Sequence, residues 1–190
     1  MRLLGLMAYF SSFFWVPLVV ANSDCNPNSP VTRDILECAT SSYKRVDKKL
    51  NEQYGILVSD PKFPNKNLLL EGERAWIKYR DAHCNNVYDS VYPGDESGIE
   101  KIGCLITLTS SRLVELVYLE TGANGDGFYN ALSIMSSVSS KTREEILSYI
   151  ESVDQYPEEA EYYEKNCELT GLVHAEEGKL CRARMKFQGM

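Results

Sequence analysis

Six cysteines, Cys25, Cys38, Cys84, Cys104, Cys167 and Cys181, all lie downstream of an apolar stretch running from Leu3 to Val20. That placement constrains the chain twice. The stretch follows one charged residue, Arg2, and ends in Val19-Val20-Ala21, at the spacing a signal peptidase accepts. Residues 1–21 therefore read as a secretory signal peptide. An uncleaved membrane anchor is the alternative; Ser11, Ser12 and Pro17 weaken it, and so does the polar Asn22-Ser23-Asp24 that follows. Asp24 stands where a lipoprotein signal needs a small residue, so Cys25 is not read as a lipid anchor. An exported chain meets oxidising conditions, where an even number of cysteines implies three disulfides. The chain has no Cys-x-x-Cys and only two histidines, His83 and His174, so neither a metal site nor a cofactor is expected.

Six cysteines allow fifteen pairings. A hairpin folded at Pro93-Gly94 brings Cys84 and Cys104, each about ten residues from the turn, level with one another, as disulfide geometry needs. Cys167 and Cys181 flank a shorter turn around Gly171 in the same way, which leaves Cys25 with Cys38. The alternative scheme joins Cys38 to Cys84 across the turn at Pro61, and Cys25 to Cys104.

Between the cysteines the apolar residues step by threes and fours. Thr32 is a plausible N-cap, and Ile35, Ala39, Tyr43, Val46, Leu50, Tyr54 and Leu57 form one helical stripe ending before Ser59-Asp60-Pro61. A second helix is expected from about Asn67 to Val91. It carries two adjacent stripes: Leu70, Ile77, Cys84, Tyr88 and Val91 on one, Leu69, Trp76, His83 and Val87 on the other. Arg74 and Asp81 fall with the first, so they are expected to be buried and to form a structural ion pair or to pair with a neighbouring helix. A third helix follows the turn 92–98 and ends near Glu120. Thr121 to Gly127 breaks the chain. Beyond it, residues 128–190 read as three or four short helices. No stretch alternates like a strand. The expected fold is all-α: a disulfide-stapled antiparallel helical bundle at 22–121, with a small helical C-terminal extension at 122–190. Glu161 to Cys167 resembles Ile77 to Cys84, so the extension reads either as a degenerate repeat of one stapled helix hairpin or as a coincidence of two short helices with one cysteine each.

Composition narrows the function. Arg2 is the sole charge in residues 1–21, so cleavage takes the net charge from −7 to −8. An acidic protein does not suit nucleic acid or anionic membrane surfaces. No later stretch reads as a membrane span. There is no HExxH, no GxSxG and no phosphate-cradling glycine loop, and no nucleophile-and-base set stands out, so no catalytic residue is assigned and the chain is not read as an enzyme. His83, with no companion, reads as a neutral hydrogen-bonded side chain. The remaining candidates are binding surfaces. The turn after the second helix offers Tyr92, Asp95, Glu96 and Glu100 on a loop held by a scaffold. Trp76, Tyr79 and Arg80 are residue types favoured at contact hot spots, although aromatics at helical spacing are more often core.

One set of residues carries a resemblance. Cys25, Cys38-Ala39, Tyr43, Asp47, Leu50-Asn51 and Tyr54 are followed by Leu69-Leu70, Glu73-Arg74-Ala75-Trp76-Ile77, Tyr79-Arg80-Asp81-Ala82 and Cys84. Gly103-Cys104-Leu105, Leu108-Thr109, Arg112 and Glu115-Leu116 complete it. The pattern over about residues 25–120 resembles the LprI-like lysozyme-inhibitor domain family. The resemblance implies a small, helical, exported, disulfide-bonded protein that binds and inhibits lysozyme. Two positions depart from it: Glu73 stands where relatives usually carry glutamine, and Pro93-Gly94-Asp95-Glu96-Ser97 replaces a Gly-Gly-Ser type of turn. The expected protein is thus a periplasmic or secreted binder of a basic lysozyme-type glycosidase. An immunity or envelope-interaction protein with another partner is the alternative.

Overall fold

The computed structural model describes residues 25–188, apart from 27, 124–126 and 154. The signal peptide expected at 1–21 lies outside the described residues. Seven helices and no strand occur among them: α1 (Thr32–Ser59), α2 (Lys66–Val91), α3 (Ser97–Thr121), α4 (Gly127–Val138), α5 (Arg143–Ser152), α6 (Pro157–His174) and α7 (Gly178–Gln188). The protein is an all-α, disulfide-stapled helical bundle.

Local chemistry sets the helix ends. Asn65 caps α2 by accepting from the Leu68 amide at 3.0 Å. Gly122 closes α3 with φ 74°, a left-handed conformation that favours glycine. Thr142 and Glu145 form a reciprocal capping box on α5, and Pro157 begins α6, where its missing N–H costs nothing. Thr32 is not the cap of α1. Helical geometry already includes it, and the preceding Val31 is the capping position, without a side-chain bond.

α3 is the centre of the arrangement. It packs along both α1 and α2, while the other side of α2 takes α6. α3 is also long and apolar enough to cross a membrane by length and composition, contrary to the reading from sequence. Its charged Arg112 and Glu115 are buried in ion pairs to other helices, as suits a bundle's core helix. The main core runs from Leu50 and Leu57 of α1 through Leu69 and Trp76 of α2 and Leu116 and Leu119 of α3. It is completed by Tyr162, Tyr163 and Leu169 of α6 and Met185 of α7. A second, smaller core joins α4, α5 and α7 through Phe128, Leu132, Ile146, Leu147, Ile150 and Ala183.

The expected ion pair of Arg74 with Asp81 is not there. Both residues are exposed; Asp81 is held by its neighbour Arg80 at 2.7 Å. The reason is rotational. α2 buries Leu69, Gly72, Glu73, Trp76 and Tyr79. The line through Leu70, Arg74, Ile77 and Asp81 is turned out of that arc, and Leu70 and Ile77 are 39% and 40% exposed. Over residues 69–79 the stripe through Leu69 and Trp76 faces the core; further along, Cys84 of the other stripe is buried at its bond to Cys104.

The helices are instead joined by a buried chain of charges that begins one residue earlier. Arg112 Nε donates to Glu73 Oε2 at 2.9 Å, and its Nη1 donates to Asn166 Oδ1 at 2.7 Å. Asn166 Nδ2 donates to Glu115 Oε2 at 2.9 Å. Arg184 grips Glu115 and also Glu176, the latter at 2.8 Å. The chain links α2, α3, α6 and α7. Arg112 and Arg184 also lie over the rings of Tyr162 and Tyr118. Burial alone would lower both guanidinium pKa values; Tyr162 and Glu73 around Arg112, and the two carboxylates around Arg184, outweigh it and raise them.

The disulfides join Cys25 to Cys38, Cys84 to Cys104 and Cys167 to Cys181. The last two each staple consecutive helices, α2 to α3 and α6 to α7, with Cα atoms 5.6 Å apart. Peptide mapping of the mature protein without reduction should recover these three linked pairs. A linked Cys38–Cys84 peptide would contradict this pairing, in which Cys84 is bonded to Cys104 and Cys38 to Cys25.

Candidate binding surfaces

The first candidate is the turn between α2 and α3. α2 stops at Val91, and the chain reverses through Gly94, whose amide donates to Val91 O at 2.8 Å. A Cβ on residue 94 would sit 2.8 Å from that same oxygen, so only glycine fits the approach. The Ser97 amide then donates to Gly94 O at 3.1 Å and starts α3. Tyr92 stacks on Tyr88 and is 64% exposed. Asp95, Glu96 and Glu100 are exposed beside it. The base of the turn is braced twice: Cys84–Cys104 ties the two helices, and Lys101 Nζ donates to Asn85 Oδ1 at 2.7 Å across them. The four residues named from sequence thus share one end of the bundle.

The second candidate set divides. Trp76 and Tyr79 are core residues, 2% and 6% exposed, and do not form an aromatic contact surface. Burial pushes the Tyr79 phenol well above its ordinary pKa, with the nearby Glu159 adding to the shift. Arg80 alone reaches the surface, its guanidinium laid over the Trp76 ring at 4.8 Å from the centroid. His83 packs between Tyr79 and Tyr156, and its Nδ1 is buried with no hydrogen-bond partner among the described residues. Among the described residues no three His, Cys, Asp or Glu side chains are arranged to hold a metal.

Sequence reasoning missed a third feature. Between α1 and α2, both of which pack along α3, a groove of about 340 Å³ opens. α1 supplies Asp47, Leu50, Asn51 and Tyr54. α2 supplies Leu70, Arg74 and Ile77 at the rim, with Glu73, Trp76 and Arg80 deeper. The exposed line taken from sequence for a buried stripe is the wall of this groove. Seven-residue spacing on α2 was its signal, but the spacing does not say which way the line points.

The sequence model of the family described as "Lysozyme inhibitor LprI" matches residues 23–116. The chain belongs to this family. It is 30% identical over 103 residues to the uncharacterized protein R02472 of Rhizobium meliloti (strain 1021), a match covering 47% of this chain and 74% of that protein. It is also 30% identical over 112 residues to the uncharacterized protein YecT of Escherichia coli (strain K12), covering 50% of this chain and 66% of the relative. No solved structure matches. The LprI match ends within α3, so α6 and α7, which complete the main core, lie beyond it. The LprI resemblance also falls on an exposed concavity as well as on the core: of the ten residues lining the α1–α2 groove, nine match the pattern that carries it, and the tenth is Glu73, which departs from it.

Proposed function

We propose that this LprI-family chain is an exported inhibitor of a lysozyme-type, peptidoglycan-cleaving glycosidase, acting by binding and not by catalysis. The family match over residues 23–116 is the observation that carries the reading. Two physical points support it. A net charge of −7 steers encounter with a basic partner. The turn from Tyr92 to Glu100 offers an exposed aromatic and three exposed carboxylates on a doubly braced base, and rigid presentation lowers the entropy cost of binding. That turn is the contact we assign to the partner.

The test is lysozyme turnover of cell-wall substrate with purified mature protein. Dose-dependent inhibition that weakens as salt rises is expected, since exposed charges are screened over about 8 Å at physiological ionic strength. In the double variant Asp95→Lys with Glu96→Lys, inhibition should drop sharply while the melting temperature barely moves, because both sites are on the surface. Full inhibition by the variant places the contact elsewhere. A parent protein without inhibition overturns the function and favours an envelope-interaction role with another partner.

A further inference from the structure

We propose that the α1–α2 groove is a second binding site, separate from the turn, which takes a segment of a partner protein presenting a carboxylate beside apolar side chains. The apolar part of the argument is the rim. Leu70 and Ile77 stand exposed over a floor of Leu50 and Trp76, so an apolar side chain laid between them removes surface from water on both sides.

The charges lining the groove decide the rest. Glu73 is committed to Arg112. Asp47, on the α1 side, accepts from Asn51 Nδ2 at 3.1 Å and keeps its negative charge. Arg80 is committed to Asp81. Arg74, exposed at the rim, has neither a hydrogen bond nor an ion pair among the described residues. An unpaired guanidinium beside apolar walls is complementary to a carboxylate, which it can take in two parallel hydrogen bonds. A neutral glycan suits the groove less well: the Trp76 face on which a sugar ring would stack is covered by Arg80 at 4.8 Å.

The experiment titrates isotope-labelled mature protein with acetyl-Leu-Glu-Leu-amide, with acetyl-Leu-Gln-Leu-amide and with a chitin oligosaccharide, following amide and Trp76 indole shifts by NMR. Saturable shifts confined to α1 and α2 are expected for the glutamate peptide. Replacing its glutamate by glutamine should weaken binding about tenfold, the scale of a lost charge-assisted pair. Arg74→Gln should remove that same tenfold preference and leave the melting temperature unchanged. The proposal is overturned by the absence of saturable shifts up to about 5 mM, beyond the weakest useful affinity. Equal binding of the two peptides, a preference that survives Arg74→Gln, shifts centred elsewhere, or binding of the oligosaccharide in place of the peptide overturn it equally.

Discussion

Arg184→Ala is expected to lower stability by about 3–5 kcal/mol, the usual cost of removing one partner from a buried ion pair. Arg184 serves two carboxylates at once. Without it, Glu115 keeps only the Asn166 amide, and Glu176 loses its ion-pair partner; both side chains are almost fully buried. The Tyr118 ring also loses the cation stacked on it. For a chain of this size one kcal/mol moves the melting temperature by about 2–4 °C, so a fall of roughly 6–20 °C should appear in a thermal melt followed by circular dichroism. Arg74→Ala is the control. Its side chain is exposed and unpaired, so its melt should stay within about 0.5 kcal/mol of the parent. Equal melts for the two variants would remove the charge chain from the account of stability.

The contrast between Arg184 and Arg74 marks where sequence stops being informative. Helix number, type and approximate limits follow from three-and-four spacing and from Pro, Gly and Asn at the ends. The Cys84–Cys104 staple follows from equal distances to the Pro93-Gly94 turn. Which face of α2 is buried does not follow. Leu69 with Trp76 and Leu70 with Ile77 have the same spacing, and only the neighbours of α2 distinguish them. Glu73, which the family resemblance marked as unusual, lies on the buried side and receives Arg112; Arg74, one residue on, is rotated about 100° away into the groove. Arg112 and Glu115 belong to the family pattern, but their partners Asn166 and Arg184 come from beyond residue 160. No local pattern connects residues that far apart. The acidic turn was legible because exposure, charge and bracing are all local. The groove was not, because its two walls come from α1 and α2, and no local pattern sets how those helices lie against each other.

The larger of the two effects concerns the tail. A chain of residues 22–122, which keeps the whole family match, is expected not to fold cooperatively. α6 covers the side of α2 that α3 does not, and Tyr162, Tyr163, Leu169 and Met185 from beyond residue 122 are part of the main core. Burying each such side chain contributes about 1.5–3 kcal/mol. Together the four contribute roughly 6–12 kcal/mol, the scale of a domain's whole stability. Truncation also strips the charge chain: Arg112 loses Asn166, and Glu115 loses both Asn166 and Arg184. Two disulfides remain, but they restrain α1 and the α2–α3 hairpin and do not cover the exposed face of Trp76 and Tyr79. The truncated chain should therefore keep much of its helical far-UV signal, lose its near-UV signal, bind a hydrophobic dye and melt without a sharp transition. A sharp melt close to that of the full mature protein would show instead that α1–α3 fold alone. The division at residue 122 would then be one of folding as well as of sequence, with α6 and α7 a separable cover over α2.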